Sequence, residues 1–122
     1  MNPNINSEYN RLVFEDIIWI TNIIIALLNI KASSIIKESY ISGDESKLEI
    51  AQNIFRFNTL VAIFINIYFV TRNYKYYQNA KTKDNSAETE KLRFIGSLLI
   101  LIGTIIIFYT LNIQTTPEGT PA

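Results

Sequence analysis

The sequence predicts an all-α fold, an integral membrane three-helix bundle whose helices run up, down and up through the bilayer. The apolar residues, 48% of the chain, gather into three runs that charged segments separate. Each run is about 20 residues long, which is the length a helix needs to cross the hydrocarbon core of roughly 30 Å. We therefore treat residues 1–122 as a single membrane domain, in which the first two helices can extend beyond the bilayer.

The third run, residues 94–113, reads "FIGSLLILIGTIIIFYTLNI" and contains no charged side chain. The second run, residues 50–71, and the first, residues 17–36, carry one charge each, Arg56 and Lys31. Both charges lie near a helix end, where long basic side chains reach the interface, so neither excludes a span. A soluble three-helix bundle is the alternative, and the mean hydropathy of only +0.15 suits it. The third run argues against that fold, because a soluble helix in so small a domain shows a polar face.

Turn-forming residues set the expected limits of the helices. Gly43 suits the end of the first helix, and either Ser42 or Asp44 suits the N-cap of the second. The polar segment 79–91 is typical of a loop, and a flexible tail is expected at residues 114–122, which contain two prolines and a glycine.

Basic residues predict the orientation. The segment 72–93 holds six of the eleven Lys and Arg residues, whereas the first connection holds three. The positive-inside rule then places the N-terminus in the cytoplasm and the C-terminus outside. The expected location is the plasma membrane of a bacterial cell, and the abundant isoleucine, asparagine and lysine are typical of an AT-rich genome.

Polar side chains recur at seven-residue intervals in the first two runs. They are Glu15, Asn22 and Asn29 in the first, and Gln52, Thr59, Asn66 and Asn73 in the second. Seven-residue spacing keeps a stripe on one side of a left-handed helix pair. If Asp16 and Arg72 lie at the same depth, facing residues of the two antiparallel helices have numbers that add up to 88. Since an unpaired amide in hydrocarbon is costly, a polar seam is expected. Its predicted pairs are Asn22 with Asn66 and Asn29 with Thr59.

Four charges share one depth at the cytoplasmic ends of the helices: Glu15, Asp16, Arg72 and Arg93. They predict ion pairs that tie the helix ends together, and a gate or proton relay is the functional alternative. On the third helix, Gly96 and Gly103 predict a small packing face, since small residues let helix backbones approach closely in membranes.

The residue content argues against an enzyme. The chain has no cysteine and no histidine, which removes thiolate nucleophiles, Cys/His metal sites and the usual general base. No glycine-rich phosphate loop is present, so no cofactor is expected. Acidic and basic residues balance at 11 each, which does not indicate a nucleic-acid partner.

Two function classes remain. The first is a structural, accessory or partner-regulating membrane protein, whose partners are the lipid bilayer and either further copies of itself or a larger membrane protein. The second is an oligomeric pore or small-solute carrier, which needs several copies because three helices enclose no useful conduit. Phage holins and half-transporters share the three-span plan, an analogy that rests on helix number alone.

Overall fold

The computed structural model of the chain describes residues 3–83 and 87–113. Within these ranges the protein is all-α, with helices α1 (Pro3–Ser42), α2 (Ser46–Lys83) and α3 (Glu88–Ile113). All three helices are long and apolar enough to cross a membrane, which confirms the predicted all-α class with three candidate spans. The expected flexible tail, residues 114–122, lies outside the described residues.

The first two helices are longer than a bilayer requires. With 40 and 38 residues, α1 and α2 measure about 60 and 57 Å at 1.5 Å per residue, or nearly twice the hydrocarbon core. The expected loop at 79–91 is wrong in its bounds, because α2 continues to Lys83 and α3 begins at Glu88. The extended end of α2 packs beside the first part of α1, where the guanidinium of Arg11 lies 5.6 Å from the centre of the Tyr76 ring.

A tight turn joins α1 to α2. Gly43 has a φ of 75°, which glycine adopts without steric cost, and its N–H donates to the Ser39 carbonyl at 2.8 Å. Asp44 Oδ1 accepts hydrogen bonds from the backbone N–H (3.1 Å) and hydroxyl (2.6 Å) of Ser46. Of the two candidate caps, it is therefore Asp44 that caps α2.

The α1–α2 interface follows a seven-residue repeat. The buried residues on α1, where side chains are described, are Glu15, Ile18, Ala32 and Ser39. Ala32 and Ser39 follow Ile18 by two and three heptads, so the stripe has the spacing of a left-handed antiparallel helix pair.

Helix α2 lies in the middle of the fold. It packs against α1 on one side and α3 on the other, and no described residue of α1 has its Cα within 8 Å of a Cα of α3. Near the end of α3, Arg56 Nε donates to the Leu111 carbonyl at 3.2 Å, where a cation also complements the helix dipole. The three helices thus form two packed pairs that share α2, with an open cleft between α1 and α3.

Candidate functional site

One amide pair lies in the middle of the α1–α2 interface. Asn58 Nδ2 donates to Asn29 Oδ1 at 2.8 Å and to the Ile25 carbonyl at 3.3 Å. Asn58 is only 2% exposed, and its Oδ1 accepts no hydrogen bond from the described residues. These bonds connect α1 and α2, so Asn29 does meet an amide of α2, though not at the predicted position.

The predicted seam pairs are not hydrogen-bonded. Thr59, the expected partner of Asn29, donates to the Phe55 carbonyl of its own helix at 2.7 Å. Asn66, the expected partner of Asn22, donates instead to Thr104 Oγ1 of α3 at 2.9 Å. Asn22 makes no side-chain hydrogen bond to another described residue.

A single-residue error in register explains this difference. In the structure the facing pairs Glu15–Arg72 and Asn29–Asn58 have numbers that add up to 87 rather than 88. One residue is a rotation of about 100° around a helix. The polar stripe that includes Asn66 and Asn73 is therefore turned toward α3, and the stripe one residue earlier on α2 faces α1.

Glu15 organises the charged end of the α1–α2 interface, and it is only 6% exposed. Its Oε2 accepts hydrogen bonds from Arg72 Nη1 (2.9 Å), Arg11 Nη1 (3.1 Å) and the Tyr68 hydroxyl (2.9 Å). We name Glu15, Arg11, Arg72 and Tyr68 the Glu15 cluster. Sequence reasoning identified Glu15 and Arg72 for this position, but it did not identify Arg11 or Tyr68.

The electrostatics of the cluster favour an ionised carboxylate. Glu15 precedes the predicted first span, and its burial by itself would raise its pKa. Hydrogen bonds from Arg72 and Tyr68 more than offset burial, so the pKa of Glu15 is lowered below its ordinary value. Because the cluster holds one carboxylate between two guanidinium groups, it fits an ion-paired tie between helices better than a proton relay.

Aromatic rings surround the same cations. The guanidinium of Arg72 lies 4.8 Å from the centre of the Phe69 ring and 5.7 Å from that of Tyr76. Cation–π contacts of this kind contribute about 0.5–1 kcal/mol at exposed sites. Of three tyrosines near this end of α2, Tyr76 contacts arginine. Tyr74 and Tyr77 instead pack on Phe94, with ring centres 5.3 and 6.3 Å from its ring centre.

Two of the four predicted charges do not join the cluster. Asp16 is exposed and forms no ion pair with a described residue. It directly follows Glu15 on α1, so its side chain is turned about 100° away from the interface. Arg93 is also exposed, and it contributes its backbone carbonyl, which accepts from Asn73 Nδ2 at 3.4 Å.

The predicted small face of α3 is not used for packing within the chain. A Cβ atom added at either Gly96 or Gly103 would meet nothing within 4 Å. The residues of α3 turned toward α2 are instead Ser97, which is buried, and Thr104, which bonds Asn66. These two lie seven residues apart, one position after the glycines.

A cleft of about 380 Å³ opens between α1 and α3 over the surface of α2. Trp19 of α1 and Ile100 of α3 form its walls, and Phe69 of α2 contributes to its base. Arg72 and Arg93 line one end. The cleft exists because α1 and α3 both pack on α2 and not on each other.

The sequence contained a signal for the correct register. Glu15 belongs to the same seven-residue series as Asn22 and Asn29, whereas Asp16 does not. Placing Glu15 opposite Arg72 would have brought Asn29 to Asn58. The cleft had no comparable signal, since hydropathy does not show that two helices stay apart.

A comparison of this chain with protein-family models, with curated proteins and with solved structures finds no match to any of them.

Proposed function

We propose that this chain is a small multi-pass membrane protein of structural, accessory or partner-regulating type, without catalytic chemistry of its own. The observation that carries the proposal is the use of the polar side chains within the spans. Asn58 bonds Asn29, Asn66 bonds Thr104, and Arg56 bonds a carbonyl at the end of α3. These three side chains, which could otherwise serve a solute in a transport path, are engaged in holding neighbouring helices together.

The outer surface of the helices supports a membrane location. Large apolar side chains such as Ile23, Leu27 and Ile106 are each more than half exposed. A contiguous apolar surface on this scale is unfavourable in water and suits lipid. Where α1 and α2 continue beyond the bilayer, the Glu15 cluster holds them together.

The proposed orientation in a bacterial plasma membrane has the N-terminus inside and the C-terminus outside, on the basis of basic-residue distribution. Cysteine placed at Ser46, in the turn between α1 and α2, is expected to react with a membrane-impermeant thiol reagent in intact cells. Cysteine at Asn79, which is exposed near the end of α2, is the matched position and should react only after permeabilisation. Labelling of Asn79→Cys but not Ser46→Cys in intact cells would reverse the orientation.

The second candidate, an oligomeric pore or small-solute carrier, is favoured by one observation. The cleft between α1 and α3 is lined in part by Asn66 and Asn73, so some polar groups of α2 are accessible from it. In an oligomer such clefts could face a shared lumen, as in a holin-like or half-transporter-like assembly.

One double-cysteine variant distinguishes the accessory protein from the oligomeric pore or carrier. Asn29→Cys with Asn58→Cys should form a disulfide within a single chain on mild oxidation, because the two side chains are in hydrogen-bond contact. Vesicles that contain the protein should retain an encapsulated dye before and after oxidation. The control is Asn29→Cys with Thr59→Cys, which should crosslink poorly because Thr59 is rotated about 100° from Asn58.

Disulfides formed only between chains, together with dye release from vesicles, would contradict the accessory proposal. That result would support the oligomeric pore, since the amides would then lie at an interface between copies.

A further inference from the structure

The cleft between α1 and α3 combines apolar walls with a cationic end. We propose that it binds one anionic phospholipid, whose phosphate is held by Arg93 and whose acyl chain lies between Trp19 and Ile100. This inference rests on the proposed membrane location of the chain, and it adds a specific ligand to it.

The two arginines at the cleft differ in their availability. Arg72 uses Nη1 for Glu15 (2.9 Å), and its Nε and Nη2 for Asn73 Oδ1 (3.3 and 3.1 Å). The Arg93 side chain has neither a hydrogen bond nor an ion pair with a described residue. Asp16, the acid predicted at the same depth, is not among the residues that line the cleft. Arg93 therefore offers a guanidinium that can bind a phosphate through two hydrogen bonds.

The depth of the cleft matches that of a lipid. Arg72 directly follows the predicted second span and Arg93 directly precedes the third, which places both at the edge of the hydrocarbon core, beside the phosphates. From Arg93 to Ile100 the cleft continues about 10 Å along α3, into the region of the acyl chains. Basic pockets between membrane helices on the cytoplasmic side are known to bind anionic headgroups.

The walls of the cleft suit an acyl chain. Trp19, Phe69 and Ile100 present apolar surface, and the missing side chain at Gly96 leaves space beside them. An uncharged apolar helix of a second copy would cover these walls, but it would bring no anionic group to the guanidinium of Arg93. A free phosphate ion is small enough, but it would leave the apolar walls uncovered.

Native mass spectrometry of the full chain in detergent tests the proposal. The probes are phosphatidylglycerol and phosphatidylcholine with identical acyl chains, and inorganic phosphate as a third arm. The wild-type protein should retain one phosphatidylglycerol in preference to phosphatidylcholine. Arg93→Gln should weaken phosphatidylglycerol binding about fivefold, while Lys91→Gln, which removes the same charge outside the cleft, should leave it within about twofold.

A second pair of variants tests the position of the acyl chain. Gly96→Leu fills the cleft and should abolish retention of phosphatidylglycerol, whereas Gly103→Leu does not enter it and should not. Both glycines have open space around them, so each variant should fold, and intramolecular crosslinking of Asn29→Cys with Asn58→Cys in the same background verifies this.

Equal retention of the two lipids, or equal losses in Arg93→Gln and Lys91→Gln, would overturn the proposal. Displacement of the lipid by inorganic phosphate would show an anion site without an acyl-chain site, and loss of a dimer in Gly96→Leu would assign the cleft to a second copy. None of these results affects dye retention or the intramolecular disulfide, so the lipid site can fail while the accessory function stands.

Discussion

Glu15→Ala is expected to destabilise the protein by about 3 kcal/mol, because it removes a buried carboxylate that binds two arginines at the end of the α1–α2 interface. The two guanidinium groups then repel each other in a half-buried site, and the Tyr68 hydroxyl loses its acceptor. Unfolding in mixed micelles with rising SDS measures the effect. Fluorescence of Trp19, the only tryptophan, is a suitable signal, since its ring centre lies 5.9 Å from that of Phe69 across the interface.

The matched control is Glu8→Ala. Glu8 also binds Arg11, at 2.8 Å, but its side chain is 58% exposed. Exposed ion pairs contribute about 0–1 kcal/mol, so this variant should unfold close to the wild type. Equal losses in Glu8→Ala and Glu15→Ala would show that the Glu15 cluster does not hold the helices together.

Acidity should reduce the effect of Glu15→Ala. The folded pKa of Glu15 is lowered, so its contribution to stability is full above the unfolded value of about 4.3 and is lost as the pH falls through the lower folded value. The difference in stability between wild type and Glu15→Ala should therefore be constant near pH 7 and should shrink below about pH 4. A difference that grew on acidification would contradict the ionised cluster.

Ala32→Phe should destabilise the α1–α2 interface by about 1–3 kcal/mol, which is the usual cost of overpacking a well-packed site. Ala32 has no exposed surface and lies on the heptad series of Ile18, so a phenyl ring must push the helices apart. Intramolecular crosslinking of Asn29→Cys with Asn58→Cys should slow in the same background.

Ala26→Phe is the control on the same helix. Ala26 is exposed on the outer side of α1, where a larger apolar side chain would meet lipid rather than another helix. Its stability should stay within about 0.5 kcal/mol of the wild type, as is usual for surface changes. A larger loss in Ala26→Phe than in Ala32→Phe would place the interface on the opposite face of α1.

The amino-acid sequence by itself predicted the three helices. Runs of about 20 apolar residues require helical structure in lipid, because all backbone hydrogen bonds must be satisfied within the segment. The sequence also predicted a helix-tying role for Glu15 and Arg72 from their depth. It did not predict that Arg11 and Tyr68 bind the same carboxylate, since both reach it through long side chains whose direction depends on packing.

The hydrogen-bond partners of the amide side chains are a feature that the sequence alone did not predict correctly. Helix α2 carries two polar stripes, one through Asn58 and Arg72 and the other through Asn66 and Asn73. Asn66 and Asn73 lie seven residues apart, and Asn58 and Arg72 lie fourteen apart with Ile65 between them. Both spacings keep a stripe on one face, so periodicity does not say which neighbour each stripe faces. The predicted register placed Asp16, rather than Glu15, at the level of Arg72. Every predicted partner on α2 was therefore shifted by one residue.

What the sequence by itself determined is thus the number of helices, their approximate spans and the presence of polar stripes, because these follow from local hydropathy and helical periodicity. Only the tertiary structure decided that α2 is shared by α1 and α3, that the stripe with Asn58 faces α1, and that a cleft remains beside Arg93 and Gly96. In lipid, apolar faces gain little from packing against each other rather than against acyl chains. Helix arrangement therefore depends on side-chain shape and a few hydrogen bonds, which hydropathy does not encode.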